Sequence, residues 1–250
     1  MITRRAALAL PTGLIAAHAY AAPLAATPIA RLDTRWWRER HEEKLAELSR
    51  VRPQLIWLGD SITQNFERNG PEPWAHFAAI WQQFYAPYRA VNLGFKGDAT
   101  SHLLWRIIHG ELDGIAPRVA IMLIGANNLG RLHWSAADTV TGIATLIDEV
   151  RRRLPATGLV LLSVLPSHRS DWASSTTAQI NSELHQRYAE SNTVRFVDVT
   201  DLFMRNGSFD SGLFYDPRLS PPEPALHPTD VGMTKIATRL QPLVTRLMKT

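Results

Sequence analysis

The sequence predicts an α/β fold, a three-layer α/β/α sandwich around a five-stranded parallel sheet. Five short runs are apolar almost throughout, the pattern of strands buried on both faces. Helical patterns separate them, as parallel connections require. The 250 residues contain no repeat and no linker-like break. One domain over about residues 31–250 accounts for all of it.

The chain opens with the positive segment Met1-Ile2-Thr3-Arg4-Arg5, then a mildly apolar stretch over 6–17, then Ala19-Tyr20-Ala21. This is the layout of a signal peptide over residues 1–22, and Arg4-Arg5 is the feature it shares with twin-arginine signals. Pro11, Gly13 and His18 interrupt a stretch shorter than the roughly 20 residues a spanning helix needs, which disfavours an N-terminal anchor. The expected location is periplasmic or secreted, with no stable membrane insertion after cleavage.

Asp33 is placed to cap a first helix over about 34–49. The five strands are expected at 54–58, 89–93, 119–124, 159–165 and 194–199. Between the third and fourth, Asp138 is expected to cap a helix with Val140, Ile143, Ala144, Ile147 and Val150 on one face. Weaker helical patterns cover 101–109 and 176–189. A final helix carries Ile236, Leu240, Leu243, Val244 and Leu247 on one face.

Composition narrows the chemistry. There are no cysteines, which excludes disulfides, thiolate-bound zinc, iron–sulfur clusters and thiol nucleophiles. Lys and Arg total 27 against 23 acids, a formal charge of +4. The compact basic run Arg151-Arg152-Arg153 closes a helical pattern, where cations complement the helix dipole. No reader motif accompanies it, so nucleic acid is not an expected partner.

In such sheets the ligand crevice lies beyond the carboxyl ends of the strands. Gly59-Asp60-Ser61 follows the first strand, Gly94-Phe95-Lys96-Gly97 the second and Gly125-Ala126-Asn127-Asn128 the third; His227 precedes the last helix. Each has a plain structural reading on its own: a helix cap, a turn, an asparagine turn, a surface histidine. Together they supply what acyl transfer needs. Ser61 is a nucleophile that requires a base, and the His227 imidazole titrates near neutrality. The N–H groups of Ser61 and Gly97 with the Asn127 amide would form an oxyanion hole. Candidate substrate contacts are Asp60, Asn128, Trp134 and His168, with Trp105, Trp172 and Arg169 in the same post-strand segments. Trp36, Trp37, Trp57, Trp74 and Trp81 read as packing residues.

These four blocks resemble those of the SGNH (GDSL-type) hydrolases, whose fold is flavodoxin-like. The segment from Asn92 to Arg106, with Gly110-Glu111-Leu112 and the Arg35-Trp36-Trp37 helix, is similar to the catalytic-subunit subgroup of platelet-activating-factor acetylhydrolases. The resemblance covers about residues 33–248. It implies hydrolysis of a small ester, most often acetyl, with Ser61 as nucleophile, Gly97 and Asn127 as oxyanion donors, His227 as base, and no metal or cofactor. The expected substrate is an O-acetyl ester on a carbohydrate or cell-surface polysaccharide. The alternatives are an O-acyltransferase on the same site and a non-catalytic carbohydrate-binding or assembly protein. One position departs from the family. The acid usually stands three residues before the histidine, and here that residue is Pro224. Glu223 is the expected acid; Asp216 and a backbone carbonyl are the alternatives.

Overall fold

The computed structural model describes residues 22–249. The expected signal peptide lies outside the described residues except for Ala22. The first long helix, α1 (Arg35–Val51), buries Trp37, His41, Lys44 and Leu48, one stripe at helical spacing, and ends where Arg52 turns left-handed at φ 48°. Thr34 rather than Asp33 occupies its N-cap, with no side-chain cap bond. Then follow β1 (Leu55–Gly59), the short α2 (Ser61–Gln64), α3 (Phe77–Phe84), β2 (Val91–Gly94), α4 (Thr100–Arg106), β3 (Val119–Leu123), α5 (Ala126–Gly130), α6 (Ala136–Arg153), β4 (Gly158–Leu162), α7 (Asp171–Tyr188) and β5 (Val194–Val197). A two-stranded hairpin of β6 (Met204–Arg205) and β7 (Ser208–Phe209) precedes α8 (Asp230–Leu247).

The five main strands are parallel in the order β2-β1-β3-β4-β5. Side-chain alternation splits the core in two. Ile56, Leu58, Val91, Ala120, Met122, Leu159 and Leu161 face α1, α4, α6 and α7. Leu55, Trp57, Val119, Ile121, Val160 and Leu162 face α2, α3 and α8. With both faces covered, every residue of β1, β2 and β3 is buried. This is the expected sandwich. Among the described residues, no helix is long and apolar enough to cross a membrane.

The strand order fixes where chemistry can occur. The chain leaves β1 for β2 on one side and returns to β3 on the other, so the connections part between β1 and β3. A crevice opens there, beyond the strands' carboxyl ends.

Candidate active site

Three segments meet at that crevice. At the end of β1, Gly59 is enforced by space: a Cβ there would lie 2.5 Å from the Leu123 carbonyl and 2.2 Å from Thr63 Oγ1. The following Asp60 caps α2, its Oδ1 accepting from the Ile62 N–H at 2.9 Å. That cap presents Ser61, first residue of α2, to the crevice. Ser61 Oγ lies 2.9 Å from His227 Nε2, across 166 positions of sequence.

The histidine is held by Asp216, not Glu223. Asp216 Oδ1 lies 2.5 Å from His227 Nδ1, while Oδ2 accepts from the backbone N–H groups of His227 at 2.6 Å and Leu226 at 2.8 Å. The reason is the path of the loop. Phe214 bridges Pro228 antiparallel, and the Tyr215 N–H donates to the His227 carbonyl at 3.0 Å. These bonds lay residue 216 directly beside residue 227. The Glu223 N–H donates to the Asp216 carbonyl at 3.0 Å, so Glu223 is engaged through its backbone and its exposed side chain lines the cleft mouth. Burial pushes the Asp216 carboxyl up, but the hydrogen bond and charge of His227 and the two amides outweigh it and hold it below the usual range. The Tyr215 ring stacks on the imidazole, centroids 5.4 Å apart at 9°.

The third wall comes from the loops after β2 and β3. Gly97 has φ +78°, and a Cβ there would sit 2.2 Å from Arg131 Nη1. Its N–H has no acceptor among the described residues. Asn127, on α5, donates from Nδ2 to the Asp98 carbonyl at 2.9 Å and lies 3.4 Å from Asp60 Oδ2. Gln64 Oε1 accepts from the Lys96 N–H at 2.7 Å, tying the loop to α2. Beneath it, the fully buried Arg106 donates from Nε to Asp98 Oδ2 at 2.9 Å, pairs with Glu111, and reaches the Gly59 and Leu93 carbonyls at 3.3 and 3.2 Å. One guanidinium thus pins the ends of β1 and β2 to the loop. Burial raises the Asp60 carboxyl to about 6, opposed by its bond from Ile62 and the charge of His227. Burial lowers the neighbouring His102 to about 4, helped by Arg31, Arg106 and Arg131. As a neutral ring, His102 accepts the Ala99 N–H on Nδ1 at 2.9 Å.

Four expected substrate contacts lie elsewhere. Asn128 is fully buried and caps α4, accepting from the Thr100 N–H and donating to Thr100 Oγ1. Asp60 is buried as the α2 cap. The His168 ring packs against Phe209 at 4.7 Å, lining a separate depression near β7. Trp134 is tethered to α5 through its N–H to the Asn128 carbonyl. None of these four lines the cleft at Ser61 and His227. That cleft, about 410 Å³, has Trp74 and Tyr215 as aromatic walls, with Arg68 and Lys96 at its rim. The sequence reads Trp74 as a packing residue, whereas it lines the cleft. Its position beyond β1, directly after the loop Asn69-Gly70-Pro71-Glu72-Pro73, is the signal that it belongs to the crevice end of the sheet.

Comparison with known proteins bears on the fold and the family. The chain is 28% identical over 215 residues to human platelet-activating factor acetylhydrolase IB subunit alpha1, covering 85% of this chain and 84% of that protein. A GDSL-like lipase from Bacteroides thetaiotaomicron superposes with a TM-score of 0.63 at 16% identity, covering 84% of this chain and 96% of that one. An acetylxylan esterase from Geobacillus stearothermophilus superposes with a TM-score of 0.55 at 20% identity, covering 79% and 94%. Residues 57–235 match the GDSL-like lipase/acylhydrolase family, and the chain belongs to it.

Proposed function

We propose that this protein is a serine esterase that removes small O-acyl groups, acetyl in particular, from a carbohydrate or cell-surface polysaccharide. The observation that carries the reading is the Ser61–His227–Asp216 chain of hydrogen bonds beside the Gly97 and Asn127 donors. Asp216 holds the imidazole with its proton on Nδ1, leaving Nε2 free to take the Ser61 proton. Ser61 Oγ then attacks the ester carbonyl. The oxyanion that forms faces the unpaired Gly97 N–H and the second N–H of Asn127, whose 3.4 Å contact with Asp60 is weak enough to give up. The imidazolium returns its proton to the departing alcohol. Water, deprotonated by the same Nε2, releases the acid and restores Ser61.

Acetyl specificity draws support from the names of the relatives, an acetylhydrolase and an acetylxylan esterase. The export signal expected over residues 1–22 fits a polysaccharide outside the cytoplasm. The non-catalytic alternative rests on Pro224 standing where the family has its acid, and the bond between Asp216 and His227 weighs against it. The test is hydrolysis of 4-nitrophenyl acetate by the parent and by Ser61→Ala. Activity in the parent and its loss, by about 10⁴-fold or more, in the variant supports the reading. Equal rates from both proteins overturn it.

A further inference from the structure

The cleft that opens from Ser61 is several times larger than an acetyl group, so on the esterase reading above it holds the alcohol part of the ester. Its charge is uneven. Arg68 and Lys96 both line it, and neither has a carboxylate within ion-pair distance among the described residues. The Arg68 guanidinium lies over the Trp74 ring, 3.9 Å from its centroid, which orients it without neutralising it. Lys96 stands on the loop that carries Gly97, with its backbone fixed by Gln64 and by Arg31, which donates to the Lys96 carbonyl at 2.9 Å. Two cations on short, tethered segments therefore face the space beside the nucleophile. Glu223, also at the mouth, carries the opposite charge, and Asp216, which lines the cleft as well, is turned to the His227 ring and two backbone N–H groups. Glu223 repels an anion from its own side and can accept from hydroxyl groups.

From this arrangement we infer that the cleft is an anion subsite: the preferred substrates are acyl esters whose alcohol carries a carboxylate or phosphate, bound by Lys96 and Arg68. Trp74 and Tyr215 supply the aromatic wall for the body of that alcohol. Two cations without carboxylate partners among the described residues distinguish this cleft from one built for a neutral sugar chain.

The experiment compares three acetylated probes of similar size: a methyl glucoside, a methyl glucuronoside and a glucose 6-phosphate. The charged probes are expected to show kcat/KM roughly tenfold above the neutral one, mainly through KM, narrowing at high salt as exposed charges are screened. In Lys96→Gln/Arg68→Gln the charged-to-neutral ratio is expected to fall to about one. The glucuronoside and phosphate arms tell which anion is favoured. A parent that hydrolyses all three equally overturns the subsite and leaves the esterase reading intact. So does a preference that survives in the folded double variant, checked by thermal unfolding. Failure to hydrolyse any ester overturns the esterase reading itself, and the subsite with it.

Discussion

Replacing Asp216 by asparagine separates the two acids that flank the histidine. In the parent, one carboxylate oxygen serves His227 Nδ1 and the other serves two backbone N–H groups. Asparagine keeps the shape but has a single acceptor oxygen. If its NH₂ faced the backbone, three donors would meet with no acceptor among them. The oxygen therefore stays with the Leu226 and His227 amides, and the NH₂ points at Nδ1. That forces Nδ1 to accept and moves the ring proton to Nε2, where it blocks uptake of the Ser61 proton. In serine proteases the equivalent tautomer error costs about 10⁴ in kcat, or about 5.5 kcal/mol of transition-state stabilisation. Initial rates on 4-nitrophenyl acetate near neutral pH should show a loss of that order for Asp216→Asn. Glu223→Gln should lose no more than about tenfold, since it forms no bond to the ring. Asp216→Asn within tenfold of the parent, or Glu223→Gln falling as far, would refute the assignment.

Other consequences follow from the same geometry. Asn127→Ala should lower kcat by about 10²–10³ with little change in KM, because the amide acts on the oxyanion; a change confined to KM would contradict this. Arg106→Met should destabilise the fold by about 3–5 kcal/mol in urea unfolding, because it leaves Glu111 a buried acid without its guanidinium and Asp98 with only Arg31 and Trp37; a loss below about 1 kcal/mol would contradict it. Asp60→Asn preserves the α2 cap but removes a carboxyl that burial has raised to about 6. The folded state favours the protonated acid, so in the parent Asp60 costs nothing below its unfolded pKa and progressively more as pH rises to about 6. The stability gain of Asp60→Asn over the parent should therefore grow from pH ~4 to pH ~6, by up to about 3 kcal/mol. A difference in unfolding free energy that stays constant across that range would contradict the argument. His102, lowered to about 4, acts in the opposite sense between pH ~4 and ~6.5, and Asp98, also raised by burial, acts in the same sense as Asp60, so the comparison with Asp60→Asn rather than the parent's own slope isolates the Asp60 effect.

Much of the fold was legible because strands buried on both faces must be apolar throughout, a pattern that β3 shows without interruption. Their limits were less so. The reading of 159–165 as strand ran past β4, because Val164 and Leu165 are buried in the turn that follows rather than in the sheet. The helix placed behind Asp138 starts one turn earlier, since Ser135 accepts the Asp138 N–H and takes the cap position. α3 went unread because its aromatic run has no preceding cap signal, and α5 because it is one turn long. At the site, residues that act through strand ends could be placed from the sequence, because strand order dictates what faces the crevice. The partner of His227 could not. It depends on an antiparallel return between Phe214 and Pro228, thirteen residues of loop whose prolines hide any periodicity. The tryptophans misled for a related reason: Trp134 follows a strand but is held against α5, whereas Trp74 reaches the cleft from a proline-rich loop.

The most direct test of the account is covalent labelling with a small fluorophosphonate, read by intact mass and peptide mapping. The geometry at Ser61 and His227 predicts one adduct per chain, on Ser61, absent in Ser61→Ala and formed far more slowly in Asp216→Asn. An esterolytic protein that labels at a different residue, or that labels as fast without Asp216, would contradict it.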